Sequence, residues 1–385
     1  MPSTSPSTSG TAPVSRTRRL AAKSLPEHNR RHNRALVLQH LFHNGPLSRA
    51  DLARESGLTR VTIGDLVAEL QGEGLLRELG PRQGARPGKP ATLVEIDADA
   101  FHIAAIDLSP EDSFVGVVVN LRGEVQHRVE QPLAGATGET AIEKVLLLVA
   151  ALISASTPRI LGIGVGTPGI IDGRGVIHEA PNLGWYEVDL GARIRRAFDY
   201  PVHVANDANA AALGVQTFGE APGGSVMVVR VEHGVGAGLV IGGTLIEGEQ
   251  YAAGEIGHVV VDEAGELCAC GRHGCLELAV ATPHLKRRLA EVGAEGREQV
   301  LTDAGRALGV ALSPVISILN LNLIVLSGPV ELIDGPLIET ARQTIRARTM
   351  SAVSNGLDLR SAAGDEDLVL MGATVLVLSS ELGVS

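Results

Sequence analysis

All three cysteines of this 385-residue chain fall in one stretch, Cys268-Ala269-Cys270-Gly271-Arg272-His273-Gly274-Cys275, and nine residues separate it from Gly257-His258. One imidazole and three thiolates, His258, Cys268, Cys270 and Cys275, are the ligand set of a closed tetrahedral zinc site. With no cysteine elsewhere, a disulfide framework has no support, and the spacing does not suit a thioredoxin-like redox pair. The alternative is three small cysteines gathered in a core without metal. Glycines and a histidine where a tight metal loop needs them favour zinc. Four protein ligands leave no open position for water, so the expected zinc is structural and pins a loop.

Three polar clusters accompany that loop. Asn206-Asp207-Ala208-Asn209 stands at the end of a strand and the start of an alanine-rich helix, Gly254-Glu255-Ile256-Gly257-His258 leads into the metal stretch, and Glu277 follows the last cysteine by two residues. Closing the loop on metal would bring Glu255, His258 and Glu277 onto one wall, a set of carboxylates and imidazole suited to vicinal hydroxyls. That chemistry points to a sugar. Taken singly, Asp207 reads as a helix N-cap and Glu255 and Glu277 as solvated carboxylates. The glycine cluster Gly234-Val235-Gly236-Ala237-Gly238 is by itself a weak phosphate-loop signal, since glycine also serves plain turns.

The elements that must position these residues read as an α/β body from Ala98 onward, with mixed sheets. Strands are expected over Ile103–Leu108, Phe114–Asn120, Leu161–Gly166, Val226–Val231 and Leu323–Ser327, alternating with helices. Length, 44% hydrophobic residues and 46 glycines fit two or three domains with a well-buried core and many tight turns. The first 25 residues, rich in Ser, Thr and Pro, lack the apolar core of a signal peptide and read as a disordered basic arm. The longest apolar run, which begins at Val145, is too short to span a bilayer. A cytoplasmic protein with no membrane partner is expected.

Charge divides unevenly. Residues 1–90 hold 14 Lys+Arg against 7 Asp+Glu, the rest 19 against 37, and the whole chain carries −11. A basic head on an acidic body is the asymmetry of a DNA-binding module joined to a small-molecule domain. Within residues 26–96 the pattern is three helices and a hairpin. The first helix runs from about Asn29 through Phe42 to a stop at Asn44-Gly45-Pro46. Ser48 caps the second, with Asp51 at capping-box spacing. The third opens at Thr59 and places Ile63, Leu66, Val67 and Leu70 on one apolar face. Val61, Thr62 and Asp65 then face outward beside Arg60, near the end of the helix that meets base edges in a major groove, with Arg49 as a further DNA contact. Thr and Val can touch a thymine methyl; Asp65 must accept from a cytosine amino group or stay clear of phosphates. Segments Leu76–Leu79 and Thr92–Ile96 pair as a wing whose tip carries Arg86 and Lys89, a basic probe for a narrow minor groove.

These residues together resemble the ROK family, named for repressors, open reading frames and kinases. The resemblance covers nearly the whole chain. Its most specific part is Gly254 to Glu277; Gly166-Thr167-Pro168-Gly169, Pro181-Asn182-Leu183-Gly184-Trp185 and Asn206-Asp207-Ala208-Asn209 fall in the family's order. It implies the two-lobed fold of sugar kinases and actin (RNase H-like) for residues 97–385, split near 205. It also implies a sugar held by Asn206, Asp207, Glu255, His258 and Glu277, with Asn182 and the Gly169 turn nearby. His258 would serve both zinc and sugar.

Family kinases are similar to one another in a first phosphate loop of aspartate, two glycines and a threonine. Here Asp107-Leu108-Ser109-Pro110-Glu111-Asp112 stands in that place, without the glycines. A phosphate cradle needs close backbone approach and cannot welcome carboxylates. Glu232-His233-Gly234 replaces the second phosphate stretch, and Ser327-Gly328-Pro329 a glycine pair at the adenosine side. The sequence therefore points to a sugar-responsive regulator of transcription, a repressor of carbohydrate uptake or catabolism genes. It would bind a two-fold symmetric operator as a homodimer or a tetramer of dimers, and bind sugar without phosphorylating it. The rival is an ATP-dependent kinase of a hexose or amino sugar, with Asp207 as general base.

Overall fold

The computed structural model describes residues 26–81, 91–219, 224–362 and 367–384. The N-terminal arm and the wing tip with Arg86 and Lys89 lie outside the described residues. The head consists of α1 (Pro26–Asn44), β1 (Leu47–Ser48), α2 (Arg49–Ser56), α3 (Arg60–Gly72), β2 (Leu76–Pro81) and β3 (Thr92–Ile96). Ser48 accepts from the Asp51 amide while the Asp51 carboxylate reaches back to the Ser48 amide, a complete capping box. Ile63, Leu66, Val67 and Leu70 are buried in the head core, as the 3.6-residue period of α3 requires. The wing pairs Leu76 with Ile96 and Arg77 with Glu95. A third strand was not legible in sequence: Leu47 and Ser48 pair antiparallel with Val94 and Leu93, giving the order β1-β3-β2. Two residues are too few to carry an alternating pattern.

The body holds two five-stranded sheets. The first is built from β4 (His102–Asp107), β5 (Ser113–Asn120), β6 (Val125–Pro132), β7 (Ile160–Thr167) and β11 (Val202–Asn206), after a small hairpin sheet of β8 (Ile170–Ile171), β9 (Ile177–Ala180) and β10 (Trp185–Val188). The second is built from β12 (Val226–Val231), β13 (Val235–Ile241), β14 (Thr244–Leu245), β15 (Leu323–Ser327) and β16 (Asp358–Ser361). In each, three antiparallel strands are followed by two that return parallel to the first, so both sheets have the order fifth, fourth, first, second, third. The chain has folded the same unit twice. The turns after the first strand of each unit, at Asp107 and Val231, therefore face one another across a cleft at the strands' carboxyl ends, where open α/β sheets bind ligands.

Helices α4 (Gly138–Ala155) and α5 (Leu190–Phe198) cover one face of the first sheet, around buried Val145, Leu148, Val149 and Ile194. In the second lobe α7 (Leu276–Val280), α8 (Thr282–Leu319), α9 (Val330–Ile333), α10 (Pro336–Arg348) and α11 (Ser351–Ser354) enclose a larger core. Helix α6 (Asp207–Phe218) joins the lobes, and α12 (Leu368–Val377) packs along it and across β4 and β7. The chain after α12 continues into the head: Leu378, Leu382 and Val384 are buried in one hydrophobic cluster with Val37, Leu38 and Leu41 of α1. Among the described residues no helix is long and apolar enough to cross a membrane.

Candidate functional site

His258 ends a short turn (Ile256–His258), and the cysteines follow in a loop closed on itself. The Cys268 amide donates to Arg272 O (2.8 Å) and the Gly271 amide to Cys268 O (2.9 Å), bending Cys268 and Cys270 toward one point. Gly274 has φ +66°, and a Cβ there would stand 1.5 Å from Asp262 O, so only glycine lets the chain turn back to Cys275. The four ligand atoms of His258, Cys268, Cys270 and Cys275 lie within 4.8 Å of one another. Cys270 Sγ is 3.5 Å from Cys275 Sγ and Cys268 Sγ 3.7 Å from His258 Nδ1. Two sulfurs at zinc–thiolate bonding distance across a tetrahedral angle stand about 3.8 Å apart, whereas a disulfide needs about 2.05 Å. The donor set therefore fits a metal ion. The Arg272 amide lowers the Cys270 thiol pKa to about 7, while burial raises that of Cys275 to about 12.

The metal loop is stitched to the second sheet. The Ala237 amide of β13 donates to Gly254 O (2.8 Å) and Leu276 to Val259 O (2.9 Å), fixing Glu255 before the loop and Glu277 after it. The Val235 amide reaches Glu277 Oε2 at 3.4 Å, so Glu277 stands against the second glycine cluster. Burial raises the Glu255 carboxyl pKa; His258 opposes the rise, while Asp207, Glu277 and Glu179 add repulsion. His258, Asp207 and Glu277 are thus all close enough to Glu255 to act on its carboxylate.

Asn206 and Asp207 sit at the carboxyl end of β11. Asn206 Oδ1 accepts from the Ala208 and Asn209 amides, and its Nδ2 donates to Gly169 O at 3.0 Å. The N-cap is therefore Asn206, not Asp207, which opens the helix with its Oδ1 accepting from the Ala208 amide and its Oδ2 3.3 Å from Arg230 Nε. Gly169 has φ +107° and its Cβ would meet Glu179 O at 2.1 Å, so the turn that receives Asn206 also requires glycine. Asn182 is exposed on the turn Pro181–Leu183, which Trp185 anchors by donating to Gly138 O (2.9 Å).

The phosphate side differs from a cradle. Asp107 is buried, and its Oδ1 accepts from the Ser109 amide (2.8 Å) and hydroxyl (2.6 Å), so the loop satisfies its own donors. Burial pushes the Asp107 pKa up, against the pull of Arg230. Burial likewise raises Glu232, with Arg230 again opposing. Glu111 pairs with His233 across the cleft. A cavity of about 520 Å³ beside these loops is lined by Asp107, Arg230, Glu232, Ser327 and Pro329 among others. Arg230 was missed in the sequence; its one signal is a lone charge inside the apolar strand Val226–Val231.

In the head, Arg60, Val61 and Asp65 are exposed and Thr62 is half-buried. Thr59 caps α3, its hydroxyl accepting from the Thr62 amide at 3.2 Å. Arg49 bonds Glu78 (2.9 Å) and Gln71 (3.2 Å), which places it against the wing rather than at the tip of α3.

Comparison with known proteins places residues 104–380 in a match to the ROK family. The xylose repressor of Bacillus spizizenii is 26% identical over 372 residues, covering 91% of this chain and 96% of that protein. The crystal structure of a ROK family transcriptional regulator, a homologue of the E. coli MLC protein, superposes with a TM-score of 0.82 at 24% identity, covering 93% of this chain and 98% of the other. A ROK hexokinase from Thermus thermophilus superposes with a TM-score of 0.60 at 28% identity, covering 72% of this chain and 97% of its own.

Proposed function

Because the chain belongs to the ROK family, we propose that it is a sugar-responsive, DNA-binding regulator of transcription, a repressor of carbohydrate uptake or catabolism genes. The observation that carries this reading is the joining of a winged helix-turn-helix head to the ROK body through one shared hydrophobic cluster. Repressor relatives extend over nine-tenths of the chain, head included, whereas the hexokinase covers 72%. Operator DNA is met by Thr59, Arg60, Val61, Thr62 and Asp65 at the start of α3, and by Arg49, Arg86 and Lys89. A dimer places two heads on a two-fold symmetric site, since such operators mirror protein symmetry.

The effector is a sugar held by Asn206, Asp207, Glu255, His258 and Glu277, with Gly169 and Asn182 at the rim. Zinc on His258, Cys268, Cys270 and Cys275 supplies a fixed tetrahedral anchor when bound. Its removal frees the loop that carries Glu255 and joins Glu277. Sugar shifts the lobes only to the extent that it prefers one arrangement, and that preference is what the heads read. Phosphorylation is no part of the proposed function: both donors of Ser109 go to Asp107, and the Asp107–Asp112 loop carries a proline and two acids where family kinases resemble one another in glycines. The protein works in the cytoplasm, where its DNA is.

The test is selection of genomic fragments by the purified protein, repeated with a panel of sugars. Enrichment of a two-fold symmetric site, altered by one sugar, is expected. No enrichment under any condition, together with ATP consumption in the presence of a hexose or amino sugar, would establish the kinase reading instead.

A further inference from the structure

Arg230 stands where the two sides of the cleft meet, and neither the sugar site nor the DNA interface uses it. It projects from the interior of β12, 8% exposed, in a strand otherwise made of valine and methionine. Its Nη2 donates to Ser109 Oγ of the first lobe at 2.9 Å. Its Nε lies 3.3 Å from the Asp207 carboxylate, yet has no hydrogen-bond acceptor. Glu232 is 3.9 Å away on the same side. Arg230 also lines the cavity beside the Ser109 loop, so the guanidinium stands both at that cavity and against the Asp207 carboxylate.

A guanidinium stays charged when buried and its planar fork serves two partners at once. A buried charge needs counter-charges, and Asp207 and Asp107 supply them. We propose that Arg230 is a positioning residue: an internal cation that holds the Asp207 carboxylate toward the sugar and ties the second lobe to the Ser109 loop of the first, so that the lobes engage on sugar with no nucleotide. The proposal rests on the sugar-site reading of Asp207. Glu111 and His233 make a second, exposed tie at the rim of the same loops. Of these two ties, Arg230 is the one that also reaches Asp207.

The experiment compares the full-length protein with Arg230→Met and Arg230→Lys by two readouts. One is amide hydrogen exchange at residues 108–112 without sugar, the other calorimetric titration with the sugar panel. Arg230→Met is expected to speed exchange in that loop and to weaken sugar binding about tenfold or more, the usual consequence of removing one partner of a buried charge pair. Arg230→Lys keeps the charge without the fork; it should recover affinity to within about threefold of the parent while the Ser109 loop still exchanges fast. A folded Arg230→Met with parental exchange and affinity would overturn the proposal, as would a lysine variant no better than methionine in sugar binding. If the methionine variant does not fold, unchanged loop exchange in Arg230→Lys overturns the tie. If the parent binds no sugar, the sugar reading fails, and the exchange arm still decides whether Arg230 joins the lobes.

Discussion

In the proposed function Cys268 and Cys270 act on the sugar through the metal loop. Replacing either with Ser removes one of four ligands, and the expected outcome is loss of bound metal and of sugar response together, measured by metal analysis and titration of the same samples. A zinc-free variant with the parental sugar affinity would refute the coupling. Asp172 shows how the hairpin of β8 and β9 is held. Burial alone would raise its pKa, but the Val176 and Arg174 amides and the Arg174 guanidinium outweigh it and bring the value down to about 2. A depressed carboxyl pKa stabilises the fold above the unfolded value and loses that contribution as pH falls through the folded one. The hairpin should therefore lose about 1–2 kcal/mol between about pH 4 and pH 2. Asp172→Asn should flatten that part of an acid-denaturation curve.

At the scale of elements, α2 and α3 are set by local chemistry. Ser48→Ala removes the hydroxyl half of a complete capping box and should cost the head about 1 kcal/mol, read as a lower melting temperature with weakened operator binding. On α3 the outward residues should separate by role. Arg60→Ala should weaken DNA binding evenly across sequences and lower its salt dependence, the mark of a phosphate contact. Val61, 74% exposed in the free protein, contributes little to stability. Val61→Ala should change base preference at one position and leave the melting temperature unchanged, measured by binding to a library of single-base operator variants.

In the whole molecule, α6 begins at Asp207, a residue of the proposed sugar site, and ends at Phe218, whose ring meets Phe42 of α1 edge-on with centroids 6.1 Å apart. Arg122 lies over the same Phe42 ring and donates to Phe42 O at 2.7 Å. The segment after α12 closes the other side, with Arg31 donating to Ser380 O (3.1 Å) and Val384 buried beneath α1. Head and body are therefore joined by packing at both ends of a rigid helix pair. Phe218→Ala should leave sugar affinity near the parental value while reducing the change in operator affinity that sugar produces. An unchanged sugar effect on DNA would show that coupling runs elsewhere.

Features that depend on neighbours close along the chain can be read from residue order alone. The zinc set is legible because its ligands fall within a short stretch, with glycine at the turns. Helices α2 and α3 are legible because a cap and a 3.6-residue period are local signals, and the apolar strands because their composition is. Tertiary structure decided what depends on what lies opposite. The two-residue strand β1 exists only because β3 offers an edge, and Asn206 rather than Asp207 takes the cap because Gly169 O receives its amide. The twofold repeat of the sheets leaves no mark in residue identity, since strand order is a property of pairing. Arg230 reads as a misfit in an apolar strand until Ser109, 121 residues earlier, and Asp207 are brought to its two sides. A buried charge is intelligible only with its partners, and partners so distant in sequence are chosen by the fold.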